Sequence, residues 1–258
     1  LLQDSDRGVL LAALDRISMN ASQPRVISEI ERLSSHEDRG IRLKIVDVAR
    51  DCNRYDSRYR SILRSMTEDK DAEVTSMAAV ELARFGEKIN SAVIERIKNY
   101  LLSSKGMSSQ VTTILYAVSA MGADGIQVYK ALTEHGSSRM RTVAWQRFLS
   151  LSNGWNNPKD WTAALKDRDQ GVRNAVVNTL RGRISPINKK TMGSLVSSPY
   201  EDVRKFLAES MARAESDAVE EYGFELLIDE DANVRAATIR SFGELRTPGW
   251  LKIMERSL

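Results

Sequence analysis

Apolar residues recur along this chain at the spacing of one helical stripe, four and eight positions after an aliphatic anchor, and the whole pattern then returns. The anchors are Val9, Ile41, Val74, Val111, Met140, Val172, Val203 and Val234, separated by 32, 33, 37, 29, 32, 31 and 31 residues. Three positions before them stand Asp6, Asp38, Asp71, Ser108, Ser137, Asp169, Tyr200 and Asp231. One position after the anchor an arginine occurs in five of the eight repeats: Arg42, Arg141, Arg173, Arg204 and Arg235. Positions 0, +4 and +8 share one face of a helix and must be buried. Asp or Ser at −3 suits an N-cap, whose oxygen accepts the orphan amide hydrogens of the first turn. The arginine at +1 flanks the stripe, so its stem packs while its head reaches an aspartate of the next repeat. Motif helices are thus expected to start near 6, 38, 71, 108, 137, 169, 200 and 231.

A second apolar-periodic stretch follows each motif helix, as in PRVISEIERLSS, NSAVIERIKNYLLSS, KDWTAALKD, VEEYGFELLIDE and PGWLKIMERSL. Pro24, Pro158 and Pro248 fall near the starts of such stretches, where a missing N–H costs little, and Asn157 is placed to cap the helix that Pro158 opens. Gly86, Gly122 and Gly243 are expected helix stops. No strand-like alternation is sustained. The unit is a helical hairpin that cannot hide its own apolar stripe, so neighbours must stack to cover it.

The segments DKDAEVTSMAAVELARFGE, DRDQGVRNAVVNTLRG and DEDANVRAATIRSFGEL resemble HEAT repeats, closest to the short type of bacterial scaffold proteins and phycobilin lyase subunits. The resemblance runs through residues 1–258 and is weakest around Val111, where Thr112 replaces the arginine. It implies an all-α fold, a right-handed α-α superhelix (a HEAT-type solenoid) of about eight helical hairpins in a single domain. Its motif helices would line the concave face. The opening LLQDSD resembles LLIDED at 226–231 and ALKDRD at 164–169, which are ends of second helices, so the chain reads as a segment of a longer protein.

Composition narrows the chemistry. One cysteine, Cys52, leaves no internal disulfide and points to a reducing, cytoplasmic setting. No run of apolar residues is long enough to span a membrane. Phosphate-binding loops, nucleophile elbows and HExxH motifs do not occur, and no cofactor or metal is expected. The single His-Glu pair, His36-Glu37, falls short of the several pairs with which the HEAT-like deoxyhypusine hydroxylases hold two irons, and reads as a solvated turn. His135 sits where a cation favours a helix C-terminus.

The net charge of +3 is a sum of opposed regions: residues 137–205 carry 13 Lys+Arg against 5 Asp+Glu, and residues 206–258 carry 6 against 11. This basic stretch, with Trp145, Trp155, Trp161 and Asp160, supports an alternative nucleic-acid-binding reading of the HEAT-like DNA alkylation repair glycosylase type. Against it, Arg141, Arg173 and Arg204 are expected to pair along the stack. The groove-facing positions +2, +6 and +9 hold 4 basic and 3 acidic residues among 24, too neutral to track phosphates. A phycobilin-type lyase is a third possibility, for which repeats alone are thin support.

The reading that fits best is a non-catalytic scaffold or adaptor, binding a protein or peptide on the concave face. The contact residues expected are Thr113, Tyr116, Ala117, Thr142, Trp145, Gln146, Leu149, Trp155, Asn174, Asn178 and Arg181. Within this set Trp155, in the polar loop SNGWNNPK, is the expected exposed anchor, while Trp145 shares an apolar column and reads first as packing. Trp161, Trp250, Tyr55, Tyr59 and Tyr100 are expected in packed positions.

Overall fold

The computed structural model describes residues 1–54, 56–184 and 186–244, which form fifteen α-helices joined by short turns. Tyr55, Trp250, the expected last helix from Pro248 and the side chain of Ser18 lie outside the described residues. The chain is an all-α helical-repeat fold of the solenoid class, and its contacts gather into two compact halves, Leu1–His135 and Gly136–Leu258.

In the N-terminal half the hairpins are α1 (Arg7–Leu14) with α2 (Pro24–Leu33), α3 (Arg39–Cys52) with α4 (Arg58–Met66), α5 (Ala72–Arg84) with α6 (Ser91–Ser103), and α7 (Ser109–Ala117) with α8 (Ala123–Leu132). The C-terminal half pairs α9 (Ser138–Leu151) with α10 (Pro158–Ala164), α11 (Gln170–Leu180) with α12 (Lys189–Val196), and α13 (Glu201–Glu209) with α14 (Ser216–Leu227), followed by α15 (Ala232–Glu244).

The motif columns do what their chemistry requires. Asp6, Asp38, Asp71, Ser108, Asp169 and Asp231 each accept the amide hydrogen of their anchor residue. Anchors Ile41, Val74, Met140, Val172, Val203 and Val234 are at most 1% exposed. Where the stripe turns polar, at Thr238, the hydroxyl donates to the carbonyls of Val234 and Leu226, so the buried oxygen is satisfied. Pro24 and Pro158 open α2 and α10, and Asn157 caps the latter. Gly86 takes φ 80° and ends α5 with bonds from its own amide to Ala83 and from Glu87 to Leu82, a Schellman turn that suits glycine. Gly122 takes φ 59° after a single 3-10 turn. Gly243 lies within the described part of α15, on its exposed side, and the residues after Glu244 lie outside the described residues; Gly182 at φ 77° closes α11.

The expected arginine ladder is present in both halves. Arg42 pairs bidentately with Asp69 at 2.7 and 3.2 Å and donates its third edge to the carbonyls of His36 and Glu37. Arg141 does the same with Asp167 at 2.7 and 2.9 Å, Arg204 with Asp229 at 2.7 and 3.1 Å, each also holding a carbonyl of its own turn. The acceptor lies five residues before the next anchor, in the DxD turn, where the same carboxylate also accepts the amide of the capping aspartate. Repeat seven has Ser198 at that place, so Arg173 swings to Asp202 at 3.0 Å and lies 3.6 Å over the Tyr200 ring. Because these guanidiniums are buried, the pairs set geometry more than they add net stability.

Two histidines take structural posts. His36 stands in the DxD position of its repeat, half-buried rather than solvated, and its Nδ1 accepts the amide of Asp38 at 2.9 Å. His135 is buried at the turn after α8, with Nε2 3.1 Å from the Ser104 carbonyl at the end of α6. Tyr59 and Trp161 are in the core as expected, Tyr59 donating to the Ala21 carbonyl and Trp161 meeting Phe206 edge-on at 6.3 Å; Tyr100 is half-buried.

Candidate functional site

Helix periodicity puts positions +2, +6 and +9 of a motif helix on one face, and α5 and α11 treat that face differently. In the N-terminal half it is closed at its middle. Ser76, Val80 and Ala83 of α5 are 0%, 0% and 6% exposed, and every residue from Glu73 to Ala83 is buried. The small side chains of MAAVELA let α3, α4, α6 and α7 crowd around this helix. Beside it Arg50 holds Asp47 at 2.8 Å and Asp51 at 2.9 Å, and Arg84 holds the buried Glu81 at 2.6 Å. Burial pushes the Glu81 carboxyl above its ordinary range, against the pull of Arg84 and Arg50. Thr113 is half-buried with its hydroxyl turned to the Ser109 carbonyl, Ala117 is buried, and Tyr116 is 45% exposed.

In the C-terminal half the same face is open on α11. Asn174, Asn178 and the C-cap residue Arg181 form one exposed row along α11, and Lys205 and Glu209 continue it on α13. A cleft of about 300 Å³ runs between these helices, floored by Val177 and Phe206 and edged by Gln170, Asn174, Arg181, Lys205, Glu209 and Asn233. Among the described residues neither asparagine carboxamide has a protein partner, so each offers a donor pair and an acceptor outward. Arg181 gives Glu209 a single bond of 3.1 Å, with the guanidinium 60% exposed; Lys205 stands 4.0 Å from the other carboxylate oxygen. The two pairings Arg173–Asp202 and Arg181–Glu209 join like ends of α11 and α13, which therefore run in parallel.

Several expected contact residues belong elsewhere. Leu149 (0% exposed) packs against the backbone turn at Gly154, and Trp145 (8%) meets Phe148 edge-on at 6.0 Å, so both are core. Ala117, at 5%, joins them. Thr142 and Gln146 are half-buried on α9. Trp155 is not a bare anchor: it is half-buried in a one-turn 3-10 helix entered through left-handed Asn153 (φ 52°), and the Arg183 guanidinium lies 5.4 Å over its ring. Gln170, Glu201 and Asn233 line the cleft without having been singled out in the sequence; their signal was their place at the first turn of a motif helix beside an open groove.

The basic stretch loses part of its free charge on folding. Arg141, Arg173 and Arg204 are neutralised inside the ladder, and Lys189 is paired with Glu221. Cys52 is buried, and that burial pushes its thiol up, the wrong direction for a nucleophile. Among the described residues no three metal-ligating side chains come together, and no helix is long and apolar enough to cross a membrane.

No protein-family model matches the chain, and no curated protein sequence does. Similar solved structures include the complex of CpcE and CpcF of phycocyanin lyase from Nostoc sp. PCC7120, at 14% identity over 100% of this chain and 92% of that one, with a TM-score of 0.43. An engineered protein matches at 15% identity over 99% and 82%, TM-score 0.42. A designed armadillo repeat protein matches at 12% identity over 93% and 94%, TM-score 0.29.

Proposed function

We propose that the chain is a non-catalytic binding scaffold that holds an extended peptide of a partner protein in the groove of its C-terminal half. The observation that carries this reading is the exposed row Asn174, Asn178 and Arg181 along α11 and its C-cap, of which Asn174 and Arg181 edge the α11–α13 cleft. Residues four apart on a helix rise about 6 Å, close to the roughly 6.6 Å between alternate residues of an extended strand. Two carboxamides at that spacing suit successive same-side peptide groups, each reading one N–H and one C=O. Thr142, Gln146 and Trp155 remain in the proposed contact set of this half; Tyr116 is the corresponding exposed residue of the other.

Nucleic-acid binding by 137–205 draws less support, because the groove keeps few unneutralised cations and three ladder arginines are buried. The test is a display selection with random peptides against the protein. Enriched peptides are expected to lose about tenfold in affinity to an Asn174→Ala/Asn178→Ala double variant, as for two lost interfacial hydrogen bonds. Enriched peptides that bind this variant as well as the parent would refute the assigned face.

A further inference from the structure

Ladder donors and acceptors occur together along the chain. Where the residue after an anchor is not arginine, the residue five before the next anchor is not aspartate: Leu10 is followed by His36, Thr75 by Gly106 and Thr112 by His135. Aspartate stands at that place in Asp69, Asp167 and Asp229, each forked by the arginine of the repeat before it, and in Asp4. Asp4 accepts the Asp6 amide at 2.9 Å, as the other three accept theirs, yet among the described residues no arginine reaches it. The opposite half of such a rung lies on α15. Arg235 donates to the carbonyls of Asp229 and Glu230, as Arg42 does to those of His36 and Glu37, and its remaining edge meets no carboxylate among the described residues.

The surfaces beside these two half-rungs are open in matching places. Val9 and Ala13 are half-buried, whereas the other seven anchors are at most 4% exposed and the other seven residues at +4 are 0% exposed. An apolar cavity of about 680 Å³ opens there, walled chiefly by Leu2, Val9, Ala12, Ala13, Ile17 and Val26. The one carboxylate on it, Glu29, is held by Gln3 and Arg32, and Arg16 and Arg25 also line it. On α15, Ile239 is 53% exposed, at the +5 place that is buried in six of the other seven repeats. Between α13 and α15 this +5 place meets +7 of the following repeat, where the Ser241 hydroxyl donates to the Ala208 carbonyl at 2.7 Å. In the first repeat +3 and +7 are Ala12 and Arg16, on the cavity.

We infer that a second copy of this chain docks on the α1–α2 end, its α15 against α1, with Arg235 of one copy forked onto Asp4 of the other and Ile239 in the cavity. A second copy fits because one of its helices carries both parts that this surface lacks: an open arginine edge at +1 and an exposed aliphatic side chain at +5. The contact repeats between copies what α13 and α15 make within one. Burial of Ile239 against the stripe drives association, and the arginine fork sets the register. Because the two surfaces are unlike, each docked pair keeps one of each free, so association is head-to-tail and open-ended. This inference is independent of the groove reading.

Sedimentation velocity at low ionic strength, from about 1 to about 200 µM, tests it. The mean mass is expected to rise with concentration above that of the monomer. Asp4→Arg and Ile239→Asp, each alone, are expected to weaken self-association at least about tenfold. Asp4→Arg leaves the α15 end intact and Ile239→Asp the α1 end, so an equimolar mixture of the two is expected to form a dimer that grows no further. Asp4→Asn keeps an acceptor for the Asp6 amide and removes only the charge, and should weaken association in the same direction. Circular dichroism checks that the variants stay folded. A protein that is monomeric over the whole range overturns the inference and leaves the α1–α2 end to a different helical partner. Self-association that these variants leave unchanged, or a mixture that behaves as either variant alone, overturns it as well.

Discussion

The middle of α5 in the N-terminal half and α11 in the C-terminal half occupy the same place in the repeat, yet one is wholly buried and the other presents a bare polar row. Backbone and capping are alike in the two: Asp71 and Asp169 cap them in the same way. On the groove positions the two differ in side chain: Ser76, Val80 and Ala83 against Asn174, Asn178 and Arg181. Small or apolar residues let neighbours close over the helix, while carboxamides and a guanidinium hold the face open because burying them without partners is costly. The same repeat position thus carries either a packed core helix or an open polar face.

Single repeats also differ in their fasteners, and that difference allows the sharpest test. The acceptor of the DxD turn is a buried aspartate at Asp167 but a half-buried imidazole at His36. Asp167→Ala strands the Arg141 guanidinium and is expected to lower unfolding free energy by about 3–5 kcal/mol. His36→Ala removes one hydrogen bond and is expected to cost only about 1 kcal/mol. Equal losses in urea unfolding would mean that the buried pairs do not organise their turns.

The groove comparison is broken by exchanging its residue types. Val80→Asn buries a carboxamide in the closed face and is expected to cost about 1–3 kcal/mol. Asn178→Val on the open face should stay within about 0.5 kcal/mol by thermal unfolding. A large cost for Asn178→Val would show that this asparagine serves the fold and not a ligand.

Acid titration separates the ladder aspartates from Glu81 by sign. Burial pushes the Asp167 and Asp229 carboxyls up, but hydrogen bonds from Arg141 and Arg204 and from the Asp169 and Asp231 amides bring both below the ordinary 3.8. Native values below unfolded ones mean that their stabilisation is full above 3.8 and is lost as pH falls through the native values. Glu81 has the opposite sign: its raised carboxyl opposes folding at neutral pH, and that penalty falls away as pH drops from its native value towards 4.5. Glu81→Gln is therefore the smallest expected change, a slight stabilisation at neutral pH with a flatter profile on the weakly acid side. A destabilised Glu81→Gln protein would instead make the bond to Arg84 the dominant contribution.

Much of this was legible in the residues. Period, anchors, caps and the arginine ladder all follow from local chemistry repeated eight times, and repetition averages out accidents at any one repeat. Arg173 shows the limit: its partner moved from the DxD place to Asp202 because Ser198 stands there, a substitution visible in the sequence whose outcome depends on where Tyr200 lies. The groove was harder. Register gives a direction from the helix axis, but exposure depends on how closely neighbours approach, which is why Ser76, Val80 and Ala83 disappeared and Asn174 did not. Trp155 was placed by its polar surroundings, and the Arg183 stacked on it came from another repeat, beyond the reach of local pattern.

The ladder has a consequence for how such a chain changes over generations. Arg141 binds a carbonyl of its own turn with one edge and the following repeat's aspartate with the other, and the next repeat carries the same donor and acceptor forward. Where adjoining repeats carry both the arginine and the DxD aspartate, duplication of a whole repeat therefore leaves each buried charge with a mate at the new junction, whereas an insertion inside a repeat strands one. Length in this architecture is free to drift in whole periods, while the positions facing the groove are free to drift one residue at a time.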